Sequence, residues 1–242
     1  MKINLLTLLL LAMLAAQSCI QKPFYGVGNI GSESRLLLKP VYNDTIRKAS
    51  YVTGHFSHDF GSGYQANEND YYFDLMLHRS YTAKTLGYSY GGSCYLGNYD
   101  ASVGYPHNGP KSFYGASITG EINTNIPFDG VDWRIIGVRT SVNYEGGGMI
   151  LFRKNAEKDG LIYNRSNTNF TFNLGLTDEI VVKLKNNASC GLYCYMGMAS
   201  RVFVNSNTLY YTKNRYTGHI QITSAIADKI DIFSFGMTYQ LK

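Results

Sequence analysis

Large apolar residues alternate one for one with small or polar residues through most of this chain. From Phe233 to Leu241 the apolar set is Phe233, Phe235, Met237, Tyr239 and Leu241, with Ser234, Gly236, Thr238 and Gln240 between. A period of two places each set on its own face of a β-strand. The same pattern sets Tyr114, Ala116, Ile118 and Ile122 against Ser117, Thr119, Glu121 and Asn123. It sets Ile136, Val138, Val142 and Tyr144 against Gly137, Arg139, Ser141 and Asn143. It recurs at Phe170–Leu176, at Ile180–Leu184 (facing away from Glu179, Lys183 and Lys185) and at Ile220–Ile222, and near 49–57, 70–81, 86–96 and 190–203.

Asn, Asp and Ser tolerate the left-handed backbone of tight connections. They cluster at Thr177-Asp178, Asn186-Asn187, Asn205-Ser206-Asn207, Lys213-Asn214 and Ala227-Asp228-Lys229. Their spacing predicts an up-and-down meander of about eight to twelve strands, with ten the best single count. Residues 61–69 and 99–111 read as polar, glycine-rich loops, and Gly146-Gly147-Gly148 reads as a bend into a short helix ending at Gly160. The expected fold is all-β, an antiparallel transmembrane barrel. One face of the strands is free of charge, while the other carries Glu, Arg, Asn and Gln beside Gly and Ser, which suits a wall between lipid and a polar lumen. A soluble sandwich or lipocalin-like barrel shows the same alternation and stays as an alternative.

Composition agrees with an all-β chain: 25 Gly against 5 Pro give many turns, and 21 Tyr against 12 Phe suit rings at a membrane interface, apolar at one end and wet at the other. The net charge of +5 has no basic run behind it, so nothing points to nucleic acid.

The ending Ser234-Phe235-Gly236-Met237-Thr238-Tyr239-Gln240-Leu241-Lys242 resembles the C-terminal insertion signal of bacterial outer-membrane β-barrels. On that resemblance Gly236, Tyr239 and Leu241 are the signal residues, and the barrel assembly machinery and outer-membrane lipid are the implied partners. The start of the chain agrees. Met1-Lys2, an apolar run from Leu5 to Ala16 and the small residues before Cys19 read as a secretory signal peptide over 1–18, too short to span a bilayer. Cys19 after a small residue allows lipidation, in a loose box similar to those of Bacteroidota lipoproteins; ordinary cleavage stays open. Residues 19–45 then form an N-terminal periplasmic segment, and 46–242 the barrel. Asp44-Thr45-Ile46 resembles the O-glycosylation sequon of Bacteroidota envelope proteins, with Thr45 as the acceptor.

Candidate chemistry is thin. Cys190 and Cys194 share a strand face about 13 Å apart, too far to pair with each other. Cys94 could pair with Cys190 or Cys194 if their strands are adjacent. No His stands near these thiols to complete a metal set, and no cofactor motif is present; the glycine run lacks the Gly-Lys-Ser/Thr of a phosphate loop. Gly54-His55-Phe56-Ser57-His58-Asp59 gathers His, Ser and Asp. Yet His55 and Ser57 would stand about 7 Å apart on a strand, beyond direct hydrogen-bond reach. His78, His107 and His219 read as isolated lumen or loop residues. The expected role is therefore a non-enzymatic one in the cell envelope, structural, accessory or binding, with an envelope protein partner among the options; a barrel enzyme acting on lipid is the alternative.

Overall fold

A computed structural model describes residues 34–41, 47–60, 69–101, 109–158, 168–199, 202–225 and 230–241. Ten strands form one closed barrel: β1 (Arg47–Phe60), β2 (Asn69–Thr82), β3 (Leu86–Ala101), β4 (Gly109–Phe128), β5 (Val131–Gly147), β6 (Phe170–Leu184), β7 (Ala188–Ala199), β8 (Val202–Lys213), β9 (Tyr216–Ala225) and β10 (Ile230–Gln240). Each pairs antiparallel with its chain neighbours, and β10 returns to β1 through a register running from Tyr51 opposite Gln240 to Asp59 opposite Ile232. Closure leaves no strand edge with unpaired backbone groups. It also overturns the sandwich alternative, which needs two open sheets.

The count of ten agrees with expectation, but several boundaries move. The turn expected at Thr177-Asp178 lies inside β6, so the segments around Phe172 and Val182 are one strand. The turn expected at Asn205-Ser206-Asn207 lies inside β8, a strand the alternation did not declare. Tyr99–Ala101 and Gly109–Lys111 extend β3 and β4, shortening the expected loop to 102–108. Asn186, Asn187 and Asn214 do turn the chain, with φ of 60°, 54° and 58°. The glycine run leads into helix α1 (Gly148–Lys158) as expected.

One end of the barrel carries the entry to β1, the exit from β10 and the tight turns at 83–85, 129–130, 185–187 and 214–215. The other end carries connections spanning 61–68, 102–108 and 148–169. There α1 buries Met149, Ile150 and Phe152, with Phe152 6.1 Å from the ring of Tyr99, and Arg153 ion-pairs with Glu145.

Burial is inverted relative to a water-soluble barrel. Ile118, Ile136, Phe172, Leu209, Ile222 and Met237 lie exposed on the outside, while Asp74, Glu121, Arg134, Arg139 and Glu179 are buried within. Rings concentrate at both rims of the outer face: Tyr81, Tyr88, Tyr216 and Tyr239 near the tight turns, Tyr71, Tyr114, Tyr144 and Phe170 near the other end. Several pair across strands, as Tyr81 with Tyr88 (4.8 Å) and Tyr144 with Phe170 (5.1 Å). Aliphatic residues fill the band between, an arrangement that hydrocarbon flanked by two headgroup layers favours. Tyrosine also has a second use that composition did not reveal: Tyr51, Tyr72, Tyr95, Tyr193, Tyr195 and Tyr210 point inward.

Ile118, 75% exposed near the middle of β4, points away from the lumen. Ile118→Arg is expected to cost about 2–4 kcal/mol of stability in lipid vesicles, because a guanidinium at the bilayer midplane loses its water. Unfolding titrations measure this; a neutral outcome places the band outside the hydrocarbon.

Candidate functional site in the barrel lumen

The lumen is occupied by the chain's own residues 34–41, Ser-Arg-Leu-Leu-Leu-Lys-Pro-Val. From Ser34 to Lys39 they are fully buried. This corrects the expectation that 19–45 lie on the periplasmic side: residues 34–41 form a strap inside the wall. Three leucines cannot stay in water without cost, and the two flanking cations find carboxylates only in the lumen.

The latches are specific. Arg35 ion-pairs with Asp74 on β2, and its guanidinium lies over the Tyr72 ring at 5.9 Å. Lys39 bonds to Glu121 on β4 and stands 3.6 Å from Glu179 on β6. Strap carbonyls accept from the wall: Arg134 donates to Pro40 at 3.0 Å and Lys39 at 3.3 Å, Ser80 to Leu38 at 2.7 Å, and Arg139 to Arg35. Gln221 on β9 donates to the Ser34 hydroxyl at 2.8 Å. Ser34 lies beside Thr223 near the end of β9 away from its tight turn, and Val41 lies by Arg47 at the tight-turn mouth, so the strap runs along the barrel.

Around Lys39 the wall closes a charge network. Arg134 meets Glu179 at 2.8 Å, Tyr210 donates to Glu179 at 2.6 Å, Tyr193 donates to Glu121 at 3.0 Å, and Arg139 donates to the Tyr193 hydroxyl at 3.2 Å. Buried charges are tolerable only when paired and hydrogen-bonded in this way. A backbone irregularity makes the network possible. Between Arg134 and Gly137 β5 carries an extra residue, with Ile136 at φ 48°. The bulge shifts the inward positions from even (Asp132, Arg134) to odd (Gly137, Arg139, Ser141). Both arginines therefore face the lumen. Strict alternation would have put Arg134 outside with Ile136.

The strand read as an insertion signal behaves as expected in its faces: Phe233, Phe235 and Met237 outward, Ser234, Gly236 and Thr238 inward. Tyr239 packs as a tilted pair with Tyr216, ring centroids 5.1 Å apart, and the Leu241 amide donates to the Ser50 carbonyl at 2.8 Å. Gly236 has a further job, because its missing side chain lets His55 on β1 and His219 on β9 meet nitrogen to nitrogen across it. A Cβ there would collide with both rings.

His55 and Ser57 share the inner face but do not act on each other. Ser57 bonds the Ser234 hydroxyl at 2.7 Å, while His55 is held by His219. His78 stacks on Tyr51 and bonds the Leu38 carbonyl at 3.1 Å. Among the described residues no three His, Cys, Asp or Glu side chains gather to hold a metal. The disulfide expectation is corrected: Cys94, Cys190 and Cys194 are free thiols. Cys94 is on β3 and the other two on β7, with β4, β5 and β6 between, and strands spaced about 4.8 Å apart put them beyond disulfide reach. The signal peptide at 1–18, Cys19, Thr45, His107 and Gly160 lie outside the described residues.

The residues that build this site were read from sequence only as a polar face (Glu121, Arg139, Glu179) or passed over (Arg35, Lys39, Asp74, Arg134). A usable signal was present in 34–41: two cations bracketing three leucines before the first strand.

No protein-family model matches the chain, and no curated protein matches it in sequence. Among solved structures it is similar to the translocator domain of the autotransporter NalP from Neisseria meningitidis, at 11% identity and TM-score 0.43 over 83% of this chain and 90% of that one. The transport unit of the autotransporter AIDA-I from Escherichia coli gives 9% identity and TM-score 0.43 over 89% and 97%. Neisserial surface protein A gives 11% and 0.34 over 82% and 100%. The likeness is one of barrel fold.

Proposed function

We propose that this protein is an outer-membrane β-barrel of a Gram-negative envelope whose lumen is closed by its own strap, with a structural, accessory or binding role. The observation that carries this is the inverted burial: a mainly apolar band with aromatic rims outside, where the mid-strand Asp178 is bonded by the Trp133 indole, and a charge network locked onto residues 34–41 inside. Among the described residues the strap takes up the centre of the lumen, which argues against a general diffusion pore. The tight-turn end would face the periplasm, as short turns do in such barrels. Export through the 1–18 segment, lipidation of Cys19, a glycan on Thr45 and insertion by the barrel assembly machinery belong to the same proposal.

The folded protein is expected to run faster on detergent gels before boiling than after, and removal of Tyr239–Lys242 is expected to abolish that shift. The deletion strips the β10 pairing that closes the barrel at Tyr51 and Val52. Mobility unchanged by heat in the intact protein sinks the membrane reading.

A barrel enzyme acting on lipid finds less support. His55 is 1% exposed and faces another imidazole, and Ser57 is spent on Ser234, so neither is aimed at lipid outside the wall.

A further inference from the structure

At the tight-turn mouth, among the described residues, lies a cavity of about 820 Å³. Its charged lining is one-sided. Lys39, Arg47, Lys48, Lys183 and Arg215 border it, and among the described residues of its lining there is no Asp or Glu. Lys39 is committed to Glu121 and Glu179, and Lys183 to Asp132 at 2.9 Å. Lys48 leans over the outer ring of Tyr81. Arg47 and Arg215 are different. Both are exposed, and neither has a carboxylate partner among the described residues. Arg47 continues the inward series of Ala49 and Tyr51, and Arg215 sits on the β8–β9 turn.

The rest of the cavity is neither greasy nor bare. Leu38, Tyr51, Val181 and Tyr210 supply an apolar and aromatic floor, while Ser189 and Thr217 supply hydroxyl walls. Cations with no carboxylate partner among the described residues, beside hydroxyl walls, match a compact ligand with one anionic group and several hydroxyls. The volume is that of an ordinary small-molecule site.

We infer that this mouth binds an anionic, hydroxyl-rich ligand of about one or two sugar units, its carboxylate or phosphate held by Arg47 and Arg215 and its hydroxyls seated in the cavity that Ser189 and Thr217 help to line. Arginine suits that role because its planar fork of donors matches both anions bidentately. The same chemistry is offered by a soluble sugar acid or sugar phosphate and by the glycerophosphate headgroup of an anionic lipid.

The test uses the full-length protein in a zwitterionic detergent, titrated by calorimetry with N-acetylmuramic acid, glucose 6-phosphate and neutral N-acetylglucosamine. Both anionic sugars are expected to bind at least about tenfold more tightly than the neutral one, and to weaken as salt rises. In an Arg47→Gln/Arg215→Gln variant that advantage is expected to vanish, with heat-modifiable mobility retained. Doping the micelles with phosphatidylglycerol separates the sources: displacement of the sugar assigns the site to a lipid headgroup, and undisturbed binding assigns it to a soluble ligand. No binding of either anionic sugar at millimolar concentration, equal affinity for the neutral sugar, or a full advantage in the double variant overturns the inference. None of these outcomes touches the membrane placement, which the gel shift reads separately.

Discussion

Replacing residues 34–41 with a glycine–serine tract of equal length is expected to turn a silent barrel into a conducting one. A barrel of eight strands is just filled by its own side chains, and each added strand widens it. With ten strands the extra room here is taken by the strap, whose side chains are buried from Ser34 to Lys39. Without it, the walls that water meets are polar: Ser80, His78, Gln221, Thr223 and the charged groups of β2, β4, β5 and β6. Such a surface wets, so ions can follow. The strap also takes two positive charges with it. What remains around the centre is Asp74, Glu121 and Glu179 facing Arg134 and Arg139, and the channel is expected to prefer cations. Planar bilayer recordings give both readouts, steps of current in the variant alone and a reversal potential shifted toward the cation in a salt gradient. A variant that keeps its heat-modifiable mobility yet stays silent would mean that the wall residues close the lumen by themselves.

The second large effect is expected at Glu179. Its carboxylate meets Arg134 at 2.8 Å, accepts from Tyr210 at 2.6 Å and lies 3.6 Å from Lys39. Glu179→Ala strands the buried Arg134 guanidinium and the Tyr210 hydroxyl, and leaves Lys39 with Glu121 alone. Breaking one side of a buried ion pair costs about 3–5 kcal/mol, most of it the penalty of leaving the partner uncompensated. Urea titration in vesicles should register that loss. The Arg134→Ala/Glu179→Ala double variant should lose less than the sum of the two singles, since each change removes the charge the other stranded. A Glu179→Ala barrel within about 0.5 kcal/mol of the parent would show that the lumen is wet enough to solvate Arg134 unaided. Tyr210→Phe removes only a hydroxyl from the same carboxylate, so it should fall well short of that effect.

The two misplaced turns and the hidden arginine share one origin. Thr177-Asp178 looked like a turn because Asp favours turns in water. In the barrel, Thr177 faces the lumen, and Asp178 accepts from the Trp133 indole at 2.8 Å, so both polar groups are satisfied within a strand. Ser206 likewise faces inward and bonds to Thr223 at 3.0 Å. Polar residues lose their value as punctuation when the interior is the polar side. Arg134 was hidden for a different reason. Alternation counts residues, and a bulge adds one that no composition announces; the side chain on which the network depends lies just before it.

The alternating pattern by itself determined the strand class, the apolar outer face and the inward set of β10, because side-chain facing in a strand depends only on the next residue along. The antiparallel meander was also legible, since each strand pairs with its chain neighbour. Closure and register decided the rest. They put β9, β10 and β1 side by side, so that His219 and His55 meet over Gly236, and they kept β3 and β7 too far apart for a disulfide. They also made a lumen lined with carboxylates from β2, β4 and β6, and only that interior gives Arg35 and Lys39 a reason to leave water. Local periodicity cannot carry this, because the ion-paired partners of the strap stand up to 140 residues away in the chain (Lys39 with Glu179) and meet only when the sheet closes on itself.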